Sequence, residues 1–459
     1  MGLPIHKFCE IVDGIIVQHA NNFEINNINI YPISIYEYDT FFVIDSTKYS
    51  TSDCGFGNSG NEDSVFGLKG TQNTNLYISR NNHNVKTIVF DEENAITFQS
   101  GINYIKVKDS VDALGKYARY RIDNSHTKVI GITGSTGKST LTKVIIELLS
   151  KNHSVQYTDF IRITYVGLIW FIIHCLQEDT EWLVIEMQID GIGQIDRLCK
   201  IVSLDVAFII NINNAHLERF HSTNCILFEK LGVYRGLKKD GCLFINAAND
   251  ILNKWGCEIN DNRVILVEPN KQLLEIIHDY QHIDTMSLLA AFNTLVNGNE
   301  KKYLLKTITE NRPIIGRFQL FSGINGAIVI VDTYNASYES TIFGIHYLSE
   351  HKRKHKVLIL GQLLELGEES EETHRIIGKY LNQENRINNV ILFGEATLYV
   401  MDELKRDSIN CKHVYTYDGA LKYINNMSLS NDTIIYIKGS GSNRLEILAM
   451  QLISKTIVE

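Results

Sequence analysis

Three successive α/β domains are what this sequence predicts, and three observations carry the prediction. A chain of 459 residues amounts to about three domains at roughly 150 residues each. From Lys128 onward, apolar runs alternate with amphipathic segments, the pattern of parallel strands covered on both faces by helices. After Pro313-Ile-Ile-Gly-Arg317 a second alternating series begins. The expected division is a small N-terminal α/β domain over 1–125, a central doubly wound domain over 126–313 and a C-terminal Rossmann-like α/β domain over 314–459.

The first stretch is irregular, with Asn-rich turns, a Gly/Ser/Asn/Asp segment from Ser52 to Asp63 and β-rich runs at Thr40–Ile44 and Thr87–Phe90. A helix over Val111–Arg121 closes it, because Val111, Leu114, Tyr117 and Ala118 recur at helical spacing. Asp123-Asn-Ser125 then breaks the chain. Expected parallel strands of the central domain are Val129–Ile132, Trp182–Met187, Val206–Ile212, Leu243–Ile245 and Val264–Val267. In the last domain they are Ala327–Asp332, Lys356–Leu360, Asn389–Phe393 and Thr433–Ile437, with a helix at Glu371–Leu381 and, again, an expected parallel sheet.

Hydrophobic residues make up 44% and charged residues 21%, a mix that folds throughout rather than staying disordered. Lys+Arg 44 against Asp+Glu 53 gives a net charge of −9. That balance argues against a generic binder of nucleic acid or anionic membrane, both of which need a basic surface. The 8 cysteines are scattered singly, without a C-x-x-C pair, and are expected to be buried thiols in a reducing compartment. Met-Gly-Leu-Pro-Ile-His lacks the layout of a signal peptide. The longest uncharged stretch, Ile163 to Gln177, is shorter than the ~20 apolar residues of a membrane span. A cytoplasmic protein without membrane insertion is expected.

The sharpest local signal is Val129-Ile-Gly-Ile-Thr-Gly-Ser-Thr-Gly-Lys-Ser-Thr140, leading into a helical Leu141–Leu149. A strand, a glycine loop and a helix start point backbone N–H groups and the helix dipole at a phosphate. Gly134, Ser135, Thr136, Gly137 and Thr140 would form the cradle. Lys138 would supply a charge to the β/γ-phosphates, and the Ser139 hydroxyl would ligate Mg²⁺. The strict G-x-x-x-x-G-K-S spacing fails by one residue, since the first glycine is Gly131 and Ile132 takes its place. ATP or GTP is the expected ligand.

Three further residues follow at places where a parallel sheet opens its ligand crevice. Glu186 ends the strand Trp182-Leu-Val-Ile-Glu-Met187, His216 follows the strand Val206–Ile212, and Lys230 lies on the next expected helix. Singly, each is as compatible with a solvated strand end, a loop histidine or a surface lysine.

Taken in order, these residues and several others resemble the Mur ligases. The motifs are the glycine loop, Glu186-Met187, Asn211-Ile-Asn-Asn-Ala-His-Leu-Glu218, Lys230, Ile315-Gly-Arg317, Asp332-Thr-Tyr-Asn-Ala336, the run from Leu358 to Ser370 with His374, and Lys438-Gly-Ser440. The resemblance runs in register from about Ala113 to Glu446. It is strongest to the members that add D-alanyl-D-alanine to a UDP-muramoyl tripeptide in peptidoglycan biosynthesis. It implies an ATP-dependent amide ligase working through an acyl phosphate, on small carboxylate and amine substrates. Lys138 and the loop would hold the phosphates. Ser139, Glu186, His216 and a carbamoylated Lys230 would place Mg²⁺, and Arg317 and Asp332 would reach the ATP phosphate and ribose. Asn249 would lie near the adenine. A monomer is expected.

Departures from the family pattern fall on substrate-facing positions. The uridine-binding turn is reduced to Asp45-Ser-Thr-Lys48, and an Asn-Asn-x-x-Gly-x-Pro segment reads Ile163-Thr-Tyr-Val-Gly-Leu-Ile169. A His-Asn-x-x-Asn helix start is Ile283-Asp-Thr-Met-Ser287, an Asn-Pro is Ser337-Tyr338, and an aspartate is Gln362. Two alternatives therefore stay open beside a wall enzyme: a ligase joining another acid and amine in specialised metabolism, and a non-catalytic nucleotide-binding module. A P-loop kinase is a further reading.

Overall fold

The computed structural model describes residues 2–29, 40–44, 85–91, 96–158, 164–189, 191–213, 222–270, 283–297, 316, 318–364, 366–384, 386–404 and 409–457. The Ser52–Asp63 segment, Asp45–Lys48, His216 and Arg317 lie outside the described residues.

Near the N-terminus, helix α1 (Ile5–Val12) precedes five strands: β1 (Ile15–Gln18), β2 (Ile28–Asn29), β3 (Thr40–Phe42), β4 (Thr87–Phe90) and β5 (Asn103–Lys106). They pair in the order β1-β5-β4-β3-β2. Helix α2 (Ser110–Asp123) carries the expected apolar stripe, and Asp109 caps it by accepting from the Asp112 N–H. Val111, Leu114 and Ala118 are buried against Phe8 and Val12 of α1.

The central sheet is built from β6 (Lys128–Thr133), β7 (Val155–Tyr157), β8 (Trp182–Glu186), β9 (Leu204–Ile209), β10 (Leu237–Asn246) and β11 (Val264–Val267). Their order is β11-β10-β9-β6-β8-β7, and every pairing is parallel. Helices α3 (Lys138–Leu149), α4 (Tyr165–Trp170), α5 (Gln194–Ile201), α6 (Thr223–Lys230), α7 (Asp250–Glu258) and α8 (Ile283–Asn297) connect or flank these strands. The pleat sends successive residues of β6 to opposite faces. Ile130 and Ile132 pack with Leu141, Ile145 and Phe292 of α3 and α8, while Val129 joins Leu183, Leu204 and Ala207 on the other face. Gly131 belongs to that second face, where an added Cβ would lie 2.8 Å from Leu204 Cδ1. Its glycine serves strand packing rather than the phosphate loop, which accounts for the shifted motif.

The third sheet holds β12 (Gln319–Gly323), β13 (Ile328–Asp332), β14 (His355–Gly361), β15 (Asn389–Phe393), β16 (Asn410–Val414), β17 (Thr433–Lys438) and β18 (Ile453–Ile457). Its order is β16-β15-β14-β17-β13-β12-β18. The expectation of a parallel sheet needs correction: β12 pairs antiparallel with both β13 and β18. Only Ile324, Asn325 and Gly326 and one further residue separate β12 from β13. So short a link closes a hairpin and cannot make a parallel crossover. Asn325 and Gly326 both take positive φ, 55° and 77°, as a tight Asn-Gly reversal does.

The cysteines also differ from expectation. All seven described ones are free, but Cys175 and Cys257 are exposed and only Cys9 is fully buried. Cys175 ends a π-helical turn at Phe171–Cys175 that extends α4, and Cys257 sits on the outer side of α7. Among the described residues no helix is long and apolar enough to cross a membrane.

Candidate active site

Strand order places the glycine loop at a switch point. The chain leaves β6, crosses through α3 to the edge strand β7, and later returns on the other side of β6 as β9, so the crevice opens at the carboxyl ends of β8, β6 and β9. Glu186 pairs with Ile132 in the sheet register, one strand away from the loop. Helix α3 begins at Lys138 with Gly137 as its N-cap and no side-chain cap, leaving its first N–H groups to face the loop. Gly137 has φ +81°, and a Cβ there would meet Thr285 Oγ1 of α8 at 3.2 Å. Both the handedness and the contact require glycine.

The loop is clasped from the neighbouring strand. The Thr136 N–H donates to Asn211 Oδ1 (2.9 Å), and Asn211 Nδ2 donates to Thr136 Oγ1 (2.8 Å). The Asn213 N–H donates to Ser135 Oγ (2.9 Å). Lys138 Nζ donates to the Gly134 carbonyl at 2.8 Å and to the Ser135 carbonyl at 3.5 Å. Asn249 caps α7, accepting from the Leu252 N–H, and its Nδ2 donates to the Ile212 carbonyl at 3.2 Å. That ties it to the same carboxyl edge.

Beneath the loop, Ser139 Oγ donates to Glu186 Oε1 at 3.1 Å. Gln188 Nε2 donates to the same oxygen, also at 3.1 Å. Glu186 is only 7% exposed, and its second oxygen, Oε2, is buried with no hydrogen-bond partner. An orphaned carboxylate oxygen beside a serine hydroxyl is a donor set that suits a hard divalent cation.

Lys230, the last residue of α6, is 1% exposed. Burial pushes its ammonium well below the ordinary lysine range, the charge of Lys138 adds to the shift, and Glu229 opposes it. Glu229 in turn accepts from the Gly193 and Ile195 N–H groups at the start of α5, the latter at 2.9 Å. This fixes the end of α6 against the sheet.

In the third sheet, Asp332 ends β13 and is 5% exposed. Its Oδ2 accepts from Tyr436 Oη (2.9 Å) and Lys438 Nζ (2.7 Å), and its Oδ1 accepts from the Phe318 N–H (3.3 Å). Burial and the neighbouring Asp332 charge push the Tyr436 phenol well above its ordinary value. The Gly316 carbonyl accepts from the Tyr334 N–H (2.9 Å), so Gly316 and Phe318, on either side of position 317, are both held to the end of β13.

The structure brings Gly134, Ser135, Thr136, Gly137, Lys138, Ser139, Thr140, Glu186 and Asn249 to one end of the central sheet, while Lys230 is buried at the end of α6, where the Lys138 charge acts on it. Asp332 stands in the third sheet. Sequence reasoning missed Gln188 and the clasping side chain of Asn211. Asn211 could have been found from its place just beyond a strand adjacent to the loop. For Gln188 no pattern gave a signal.

A glycine loop, a helix start and a buried serine–carboxylate pair at a parallel-sheet edge define a P-loop nucleotide enzyme. Comparison with known proteins narrows the class. The "Mur ligase middle domain" matches residues 132–320 and the "Mur ligase, glutamate ligase domain" matches residues 316–441. The UDP-N-acetylmuramoyl-tripeptide–D-alanyl-D-alanine ligase of Rickettsia prowazekii is 27% identical over 374 residues, covering 74% of this chain and 82% of that protein. The ligase of the same name from Bacillus subtilis is 26% identical over 378 residues, covering 77% and 82%. A crystal structure of MurF from Acinetobacter baumannii shares the fold with a TM-score of 0.76 at 20% identity, over 99% of each chain. The MurF ligase of Thermotoga maritima in complex with ADP gives 0.70 at 22% identity, over 93% and 97%. The chain belongs to the Mur ligase family. It is an ATP-dependent, ADP-forming ligase.

Proposed function

We propose that this ligase joins D-alanyl-D-alanine to a UDP-muramoyl tripeptide, as the names of its relatives suggest, and that it does so as a cytoplasmic monomer. Residues 1–125 would receive the UDP-bearing acid, 126–313 the nucleotide, and 314–459 would close over both. The observation that carries the nucleotide half of this reading is the Ser139–Glu186 pair with its bare Oε2 beside the glycine loop.

Chemically, a substrate carboxylate attacks the γ-phosphorus of ATP, giving an acyl phosphate and ADP. The amine then attacks the acyl carbon, and collapse of the tetrahedral intermediate releases phosphate and leaves the amide. Positioning and charge neutralisation do most of the work in the first step. Lys138 exchanges its loop carbonyls for the phosphates, and Arg317 adds a second cation from the start of the third domain. The loop from Gly134 to Thr140 orients the phosphate chain. Asn249 stands by the adenine, and Asp332 meets the ribose through Oδ1, whose described bond to the Phe318 N–H is the longest of its three.

Ser139, Glu186, His216 and Lys230 are the residues that would hold Mg²⁺, which when bound neutralises charge on the phosphates. Lys230 fits this role as a carbamate. Its depressed basicity favours the neutral amine that carbon dioxide needs, and carbamoylation converts that amine into an anion with release of one proton, an anion that the Lys138 charge would favour.

A second reading, a ligase for another acid and amine, draws on the segment after β7. Thr164 caps α4, and Tyr165 is buried with Arg197 stacked over its ring, 4.2 Å from the centroid. Of the two positions where the family pattern has amides, Ile163 lies outside the described residues and Thr164 is committed to capping α4. A substrate screen separates the readings. ADP release that requires both the UDP-muramoyl tripeptide and D-alanyl-D-alanine, with a product of the summed mass less water, supports the first. Release only with other acid–amine pairs supports the second, and release with no amide product would overturn both.

A further inference from the structure

Both hydrogen bonds to the Glu186 carboxylate fall on one oxygen. Ser139 Oγ and Gln188 Nε2 each reach Oε1 at 3.1 Å, while Oε2 is buried and bare. Rotation of a carboxylate by half a turn exchanges its two oxygens, so an unrestrained Glu186 would lose nothing by presenting either one. Two donors on one oxygen remove that freedom. Ser139 cannot set the orientation alone, because its hydroxyl is itself offered to a cation when the nucleotide is present.

We infer that Gln188 is a positioning residue for the cation site: its amide holds Glu186 Oε1 and keeps Oε2 turned toward the divalent ion. Gln188 lies two residues beyond Glu186, on the segment leaving β8, and is half-buried. Its backbone follows Met187, whose N–H donates to the Ile132 carbonyl at 2.8 Å, so the amide is delivered from a segment already fixed to the sheet. Outer groups that orient a metal-binding side chain raise affinity by limiting the conformations it must give up. The inference rests on the reading of Glu186 as a cation ligand.

The test measures Mn²⁺ binding without turnover, by the electron paramagnetic resonance of free Mn²⁺ titrated into the full chain saturated with ADP. Gln188→Leu and Gln188→Met, the second of which preserves side-chain length, should each weaken Mn²⁺ by about 10-fold. ADP binding without metal, the check on folding, should stay within about twofold, since neither variant alters the loop. Glu186→Ala is run alongside and should remove most of the Mn²⁺ affinity. If Glu186→Ala binds Mn²⁺ like the parent, the cation reading of Glu186 itself fails. If Glu186→Ala loses the ion while both Gln188 variants bind it like the parent, Gln188 has no positioning role.

Discussion

Lys138 Nζ donates to the carbonyl of Gly134, four residues back in its own loop, at 2.8 Å. This bond ties the lysine back onto its own loop. A neutral carbonyl is a weaker partner for an ammonium than a phosphate oxygen, because the phosphate adds the attraction of a full negative charge. Nucleotide binding should therefore open this contact.

On the proposed mechanism, Lys138→Met removes a group used in the transition state, and its bonds to the Gly134 and Ser135 carbonyls. ADP release at saturating substrates should fall by roughly 10²- to 10³-fold, the usual cost of losing one charge-stabilising donor. Melting temperature should hardly change, because water can serve the loop carbonyls. A large fall in melting temperature with kcat retained would assign Lys138 to structure instead.

Lys230 makes folding stability depend on pH, with a definite sign. Its folded-state basicity lies well below the ordinary value of 10.5, so between the two values the unfolded chain binds the extra proton. Stability then rises with pH through that window, and the penalty is fully present below it. Lys230→Met should therefore be stabilising in carbon-dioxide-free buffer, by more at pH 6 than at pH 10. An equal gain at both, read by urea denaturation, would place the amine in solvent.

Asp332 and Lys438 form a buried pair, with side chains 8% and 2% exposed and 2.7 Å between them. Lys438 Nζ also donates to the Asn335 carbonyl at 2.9 Å, so the pair pins the turn after β13. Lys438→Met strands a buried carboxylate charge that the neutral donors Tyr436 Oη and the Phe318 N–H cannot balance, and should cost about 3–5 kcal/mol. Asp332→Asn in the same chain should recover part of that loss, because the stranded charge is gone. Urea midpoints of the two single variants and the double variant measure the coupling; strict additivity would mean that the two residues do not act as a pair.

Strands covered on both faces were legible in the sequence because they must be apolar at every position. Asn389–Phe393, with Val390, Ile391 and Leu392 fully buried, matches its expected bounds residue for residue, and so does the partly exposed edge strand Val264–Val267, whose four residues are all apolar. Strand β7 was not legible, since Val155-Gln-Tyr157 is only 3 residues long with a polar residue at its centre, too short a run to show a pattern. The antiparallel β12 was missed although Asn325-Gly326 announces a reversal. Gln319–Gly323 has few buried positions and reads as a connection. Cys175 and Cys257 look apolar by type, and nothing in their spacing tells which side of a helix they occupy.

At the site, the glycine loop, Ser139 and Glu186 could be named from the sequence because phosphate binding needs a contiguous strand, turn and helix start, and strand ends can be counted. Their pairing could not. Whether Ser139 touches Glu186, and which oxygen is left bare, depends on strand order and on a glutamine amide arriving from the next turn. Contiguity determined the chemistry on offer; burial, which removes water as a competing partner, decided through the tertiary fold which atoms must find each other and which one is kept for a ligand.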